Sequence, residues 1–263
     1  MRFRLSHIVI SILLLVACEE IEYNPLDIVN PDYIPPETTI ITGINASIVN
    51  ISTMIISFEG NDDVVEYSYL VDSTSWSDWT TETSVTMDYL DEGEHYFSVK
   101  GRYSNLVEDE SPASISFIVD AVQGPALRIF PLLTETQVNN TFTLSVYIED
   151  IESLVFGELS INISSSLELI ASDRGIMMGE NESSSILLFI NEQNQIQYTF
   201  AVNYANTEGA RGSGELLKLT FKAPSFTGST NIDFSNLNVK LLDYNGNEII
   251  VNDLVGGKVV VLP

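Results

Sequence analysis

From Thr38 onward the chain is a series of short runs in which apolar and polar residues alternate. In "TMIISFEG" Met54, Ile56 and Phe58 fall on one face. In "VVEYSYLVD" Val65, Tyr67, Tyr69 and Val71 do the same, with Glu66 and Ser68 opposite, and after a turn at Gly93 so do His95, Phe97 and Val99. Further on come Phe142, Leu144 and Val146; Leu159, Ile161 and Ile163; Tyr198, Phe200 and Val202; and Leu217, Leu219 and Phe221. A period of two places successive side chains on opposite faces of a strand, and Gly, Asn, Asp and Ser between the runs supply the turns. No segment holds a helical period with caps. The pattern predicts an all-β protein of two consecutive β-sandwich domains, 37–120 and 126–263, with the boundary in "AVQGPAL". Near the end, Asn245-Gly246 between two apolar runs has the chemistry of a tight hairpin turn.

The first domain resembles bacterial immunoglobulin-like and fibronectin type III-like modules. The matching pieces are "PPETTI", "YSYLVDSTSWSDWT", "LDEGEHYFSVKG" and "SPASISFIVD", in that order. Such modules act as spacers or platforms. The second domain, in "TFTLSVYIEDIESLVFGELSINISSSLELIAS", "GSGELLKLTFKA" and "SNLNVKLLDYNGNEIIV", is similar to cohesin domains. That resemblance implies a nine-stranded jelly roll that binds dockerin-bearing partner proteins. The chain departs from it where cohesins usually have Tyr-Asp-Pro and this sequence has Ile163, Ser164 and Ser165. Cohesin partners dock on a flat sheet face, so the resemblance nominates side chains that alternation points away from the core: Glu158, Ser160 and Asn162 on one strand, Thr199, Ala201 and Asn203 on another.

Ahead of both domains, "MRFRLSHIVISILLLVAC" sets two arginines before an apolar stretch and small Ala17, the layout of a signal peptide over 1–17. The apolar stretch is too short to span a hydrocarbon core of about 30 Å. Leu15, Val16, Ala17 and Cys18 resemble the lipobox of bacterial lipoproteins, which implies lipid on Cys18, the chain's single cysteine. Glu19 and Glu20 follow, without the aspartate that marks inner-membrane retention in such families, so the resemblance implies the outer membrane or outer cell surface. Residues 18–36, with Pro25, Pro31, Pro35 and Pro36, read as an extended tether. At about 3.1 Å per residue it would lift the folded part about 50 Å off the lipid.

Charge narrows the partners. The 37 acids against 11 bases give −26, a field that repels phosphate backbones and excludes nucleic acid as a partner class. Chemistry has little to work with. His7 lies in the leader, which leaves His95 and Cys18 and makes histidine-assisted nucleophiles and histidine-rich metal sites untenable. Gly212 and Gly214 lack the lysine of a phosphate loop and precede a strand. The expectation is a non-enzyme without cofactor, calcium entering mainly through a dockerin partner.

Three features admit two readings. Trp76 and Trp79 are a sugar platform or pack on the sandwich, and packing is expected. His95 is a ligand or a satisfied core side chain, and the latter is expected. Asp62, Asp63, Asp91 and Glu92 bind calcium or form solvated turns, and solvated turns are expected. The alternative to a dockerin-binding protein is a glycan-binding or adhesive surface protein, with polysaccharide as partner, or an envelope spacer without ligand.

Overall fold

The computed structural model describes residues 24–42, 45–178, 185–192, 194–202, 209–235 and 238–263, and of 185–192 the backbone alone. Cys18 and the leader lie outside the described residues.

Seven strands build the first unit: β1 (Thr38–Ile40), β2 (Ile48–Val49), β3 (Met54–Gly60), β4 (Val64–Val71), β5 (Ser84–Met87), β6 (Gly93–Tyr103) and β7 (Ala113–Val119). They form two sheets, β1-β3-β5 and β2-β7-β6-β4. Met54, Ile56 and Phe58 from one meet Tyr67, Phe97, Val99, Ile115 and Phe117 from the other. The Phe58 ring lies 5.1 Å from that of Tyr67 and 6.2 Å from that of Phe97. Alternation misplaces one residue. Val65 is 45% exposed, and Val64 packs on the core in its stead. The β4–β6 register slips between Val64 and Glu66, a bulge that re-aims the side chain. Gly60 and Gly101 make room for it: a Cβ on either would lie within 2.5–2.6 Å of Val64.

The tether corrects the expectation of an extended spacer. Asn24, Asp27 and Asn30 recur every third residue, and each carbonyl accepts the N–H three residues on. Their side chains accept the N–H two residues on, from Leu26, Val29 and Asp32. Asn and Asp make such local bonds readily, which turns the backbone instead of extending it. The resulting staircase is fastened to the first sandwich. Asn105 Nδ2 donates to the Leu26 carbonyl at 2.7 Å and the Tyr103 hydroxyl to that of Ile34 at 2.8 Å.

Among the described residues the second unit has twelve strands: β8 (Ala126–Phe130), β9 (Leu133–Gln137), β10 (Thr141–Asn162), β11 (Glu168–Arg174), β12 (Ser185–Glu192), β13 (Gln195–Val202), β14 (Ala210–Lys222), β15 (Gly228–Phe234), β16 (Lys240–Asp243), β17 (Glu248–Ile249), β18 (Asp253–Val255) and β19 (Gly257–Leu262). The 22-residue β10 serves both sheets. Its first half pairs with β8 and β14, its second with β13 and β16. The change of sheet comes at Asp150–Ser153, where φ turns positive at both ends and the β14 register shifts. The predicted alternating sets meet between the sheets: Leu144, Val146, Leu217, Leu219 and Phe221 against Leu159, Ile161, Tyr198 and Phe200. The chain is all-β, a jelly roll preceded by a two-sheet unit.

Asn245-Gly246 does turn the chain, but in a three-residue loop. Gly246 takes φ +81°, its N–H reaches the Asp243 carbonyl, and Asp243 N–H reaches Asn247. The Asp243 carboxylate gathers the N–H groups of Asn245 and Asn247, each at 2.8 Å, and is held below its usual range by these bonds, that from the Asn247 side chain first.

Candidate partner-binding face

The second half of β10 lies between β13 and β16, and β12 extends the sheet beyond β13. Register lays residues across it in rows. Lys240, Glu158, Thr199 and Leu188 stand side by side; Ser160, Gln197 and Ile190 form the next row; Asn162, Gln195 and Glu192 the next. Directly opposed residues of antiparallel strands share a face. Glu158, Ser160 and Thr199 therefore come together as alternation predicts, lining a shallow depression of about 410 Å³ with Gln197, Asn238 and Lys240.

The nominated residues differ in what they offer. Glu158 and Asn162 are exposed, and Thr199 and Ala201 are half-buried. Ser160 is buried, against expectation: the segment that follows β15 crosses beside it, with the Ser235 N–H on its carbonyl at 2.8 Å. Asn203 lies outside the described residues. Gln197 Nε2 donates to Gln195 Oε1 at 2.9 Å, and Gln195 Nε2 to Asn162 Oδ1 at 3.3 Å, an amide chain along the rows. Beneath, Gly157 has no room for a side chain, since a Cβ would sit 2.3 Å from the Phe200 ring. Tyr198, on the inner side, has its phenol pushed up to about 12 by burial. Glu158 and Lys240 offset one another in the first row and Glu192 at the third adds one acidic position, so the face stays near neutral in a strongly acidic chain. Among the described residues the face is a sheet surface of hydrogen-bonding side chains around that shallow depression.

Sequence reasoning missed Gln195, Gln197 and Lys240. The two glutamines share the alternation of Thr199 and were findable. Lys240 depended on how β16 pairs, which no local pattern encodes. At the departure from the cohesin pattern, Ile163 is buried, and Ser164 and Ser166 share a hydroxyl bond at 2.9 Å in a turn.

Trp76 and Trp79 are not in the core. They lie on the outer face of β6, with Lys100 Nζ 4.8 Å and 5.5 Å from their ring centroids and the Arg102 guanidinium 4.2 Å from that of Trp79. Lys100 pairs with Glu108 at 2.5 Å and Arg102 with Glu66 at 2.6 Å. His95 is satisfied as expected, between Asp72 Oδ2 at 3.0 Å and the Asp91 carbonyl at 2.8 Å, its ring stacked on Phe117. Its neighbours Asp72, Ser73, Glu94, Tyr96, Ser116 and Ile118 line a groove of about 630 Å³.

Asp62 and Asp63 are exposed, whereas Asp91 and Glu92 correct the reading as solvated turns. Both are partly buried at the joint between the units. Asp91 accepts the Leu132 N–H at 2.8 Å, and Glu92 Oε1 accepts those of Ala121 and Val122 at 2.9 and 3.0 Å. Burial pushes both carboxyls above their usual values, against the pull of these bonds and of Arg128. Arg128 is itself buried, paired with Glu149 and stacked over Tyr147. Among the described residues no cluster of His, Cys, Asp and Glu has an arrangement that would hold a metal ion.

Residues 132–261 match the family model of the cohesin domain. Among solved structures, the chain is similar to the non-cellulosomal cohesin of Archaeoglobus fulgidus, at 19% identity over 52% of this chain and 91% of that one, with a TM-score of 0.44. It is similar also to a type I cohesin–dockerin complex from Clostridium thermocellum, at 15% identity, 52% and 98% coverage and a TM-score of 0.45. A type II cohesin from Acetivibrio cellulolyticus gives 14% identity, 51% and 94% coverage and a TM-score of 0.45. A search of curated proteins finds no match.

Proposed function

We propose that the cohesin domain at residues 132–261 captures a dockerin-bearing protein on the outer face of β12, β13, the second half of β10 and β16. The domain is a non-catalytic interaction module, and the observation that carries this reading is its match to the cohesin model together with a flat, near-neutral sheet face. The first unit, an immunoglobulin or fibronectin type III-like sandwich, is the spacer. Lipid on Cys18 holds the chain at the outer membrane or outer cell surface. Calcium belongs to the partner, whose dockerin folds on it.

Retention of the full chain on immobilised dockerin modules from the same organism, with calcium and with chelator, tests the reading. Calcium-dependent retention that a Thr199→Arg change removes supports it; no retention of the unaltered chain in calcium overturns it. Glycan binding through Trp76 and Trp79 is disfavoured, since Lys100 and Arg102 stand over the indole faces a sugar would need.

A further inference from the structure

The end of the first sandwich where the chain arrives is rich in exposed aliphatic side chains. Ile28, Val29 and Ile34 on the staircase are 79%, 70% and 64% exposed, and Leu106 and Val107 on the turn after β6 are 64% and 38% exposed. The bonds from Asn105 to Leu26 and from Tyr103 to Ile34 bind these two stretches together. Apolar groups gathered at one place on a surface mark a contact with something apolar.

The chain itself says what that is. Only six residue steps separate Asn24 from Cys18. Fully extended, six steps reach about 20 Å. A lipid on Cys18 therefore holds this end within about that distance of the bilayer, with no free spacer of the predicted length. We propose that Ile28, Val29, Ile34, Leu106 and Val107 form a tip that rests in the interfacial layer of the membrane, an inference that depends on Cys18 being the lipid-bearing residue. The occupant is a neutral, zwitterionic headgroup layer. Asp27 and Asp32 on the staircase, and the −26 charge of the chain, are repelled by anionic lipid. Aliphatic side chains inserted beside the lipid on Cys18 add buried apolar surface to the attachment and fix how this end of the sandwich sits on the bilayer.

The test uses the full, lipidated chain in vesicles of phosphatidylcholine and phosphatidylethanolamine. With the Cys18 sulfur occupied, an engineered cysteine is the single reactive thiol. A polarity-sensitive nitrobenzoxadiazole probe is placed by I28C, by L106C, or by F226C on an exposed site of the second domain. Blue-shifted emission at 28 and 106, with quenching by spin-labelled lipid at least threefold stronger than at 226, is the expected result. Vesicle-bound protein whose three probes quench alike overturns the tip while leaving the anchor standing. Protein that takes up no labelled palmitate and does not float with the vesicles overturns the anchor, and the tip with it.

Discussion

Asp91 and Leu132 stand on opposite sides of the joint between the two sandwiches, and the carboxylate of the first accepts the amide N–H of the second at 2.8 Å. Leu132 is buried, so its N–H has no water to turn to. Asp91→Ala leaves it unpaired and is expected to lower stability by about 1–3 kcal/mol, read by denaturant unfolding. Asp91→Asn keeps an acceptor for that N–H and avoids that loss.

The same turn makes the joint acid-tightened. Burial raises Asp91 and Glu92, with Arg128 and the backbone bonds opposing it, His95 lowering and Asp72 raising Asp91, and Glu149 raising Glu92. A carboxyl with a raised folded pKa binds its proton more tightly when folded. Its contribution is complete below the ordinary carboxylate range and is lost as pH rises through the raised value. Paired Asp91→Asn and Glu92→Gln changes should equal or exceed the wild type in stability at pH 7. The difference should shrink as pH falls towards 4, as measured by thermal unfolding across that range.

Gly157→Ala drives a methyl into the Phe200 ring under the candidate face. Overpacking of this kind costs about 1–3 kcal/mol, and a drop in Tm reports it.

Thr199 lies in the first row of the face, between Glu158 and Leu188. Thr199→Arg there should weaken calcium-dependent dockerin binding at least about tenfold, or about 1.4 kcal/mol, by calorimetry, with the circular dichroism spectrum unchanged.

Arg102 and Trp79 form a cation–π pair at a partly exposed site. A double-mutant cycle on Arg102→Ala and Trp79→Ala should return a coupling of about 0.5–1 kcal/mol.

Core positions were legible because a period of two needs only local information: Phe58, Leu144, Phe200 and Leu219 all sit where alternation puts them. What escaped depended on partners distant in sequence. Val65 yields its place to Val64 because of two glycines on neighbouring strands. Trp76 and Trp79 read as packing residues, yet the cations of β6 hold them on the outer face. Asp91 and Glu92 look like any acidic turn until Leu132 and Val122 are brought against them. Prolines 25 and 31 suggested an extended tether, while Asn24, Asp27 and Asn30 at intervals of three carried the signal for turns. On the candidate face, Glu158 and Thr199 were legible by alternation, whereas the burial of Ser160 and the arrival of Lys240 follow from segments far along the chain.

The chain enters the first sandwich through β1, beside Gly60 and the staircase, and leaves through β7, beside Gly93 and the joint. A tug between the two ends therefore drags β1 one way along β3 and β7 the other way along β6. Because ladder bonds run across the strands, such a load must shear a whole row at once instead of peeling it bond by bond. Built this way, the first sandwich is braced against a pull along its length.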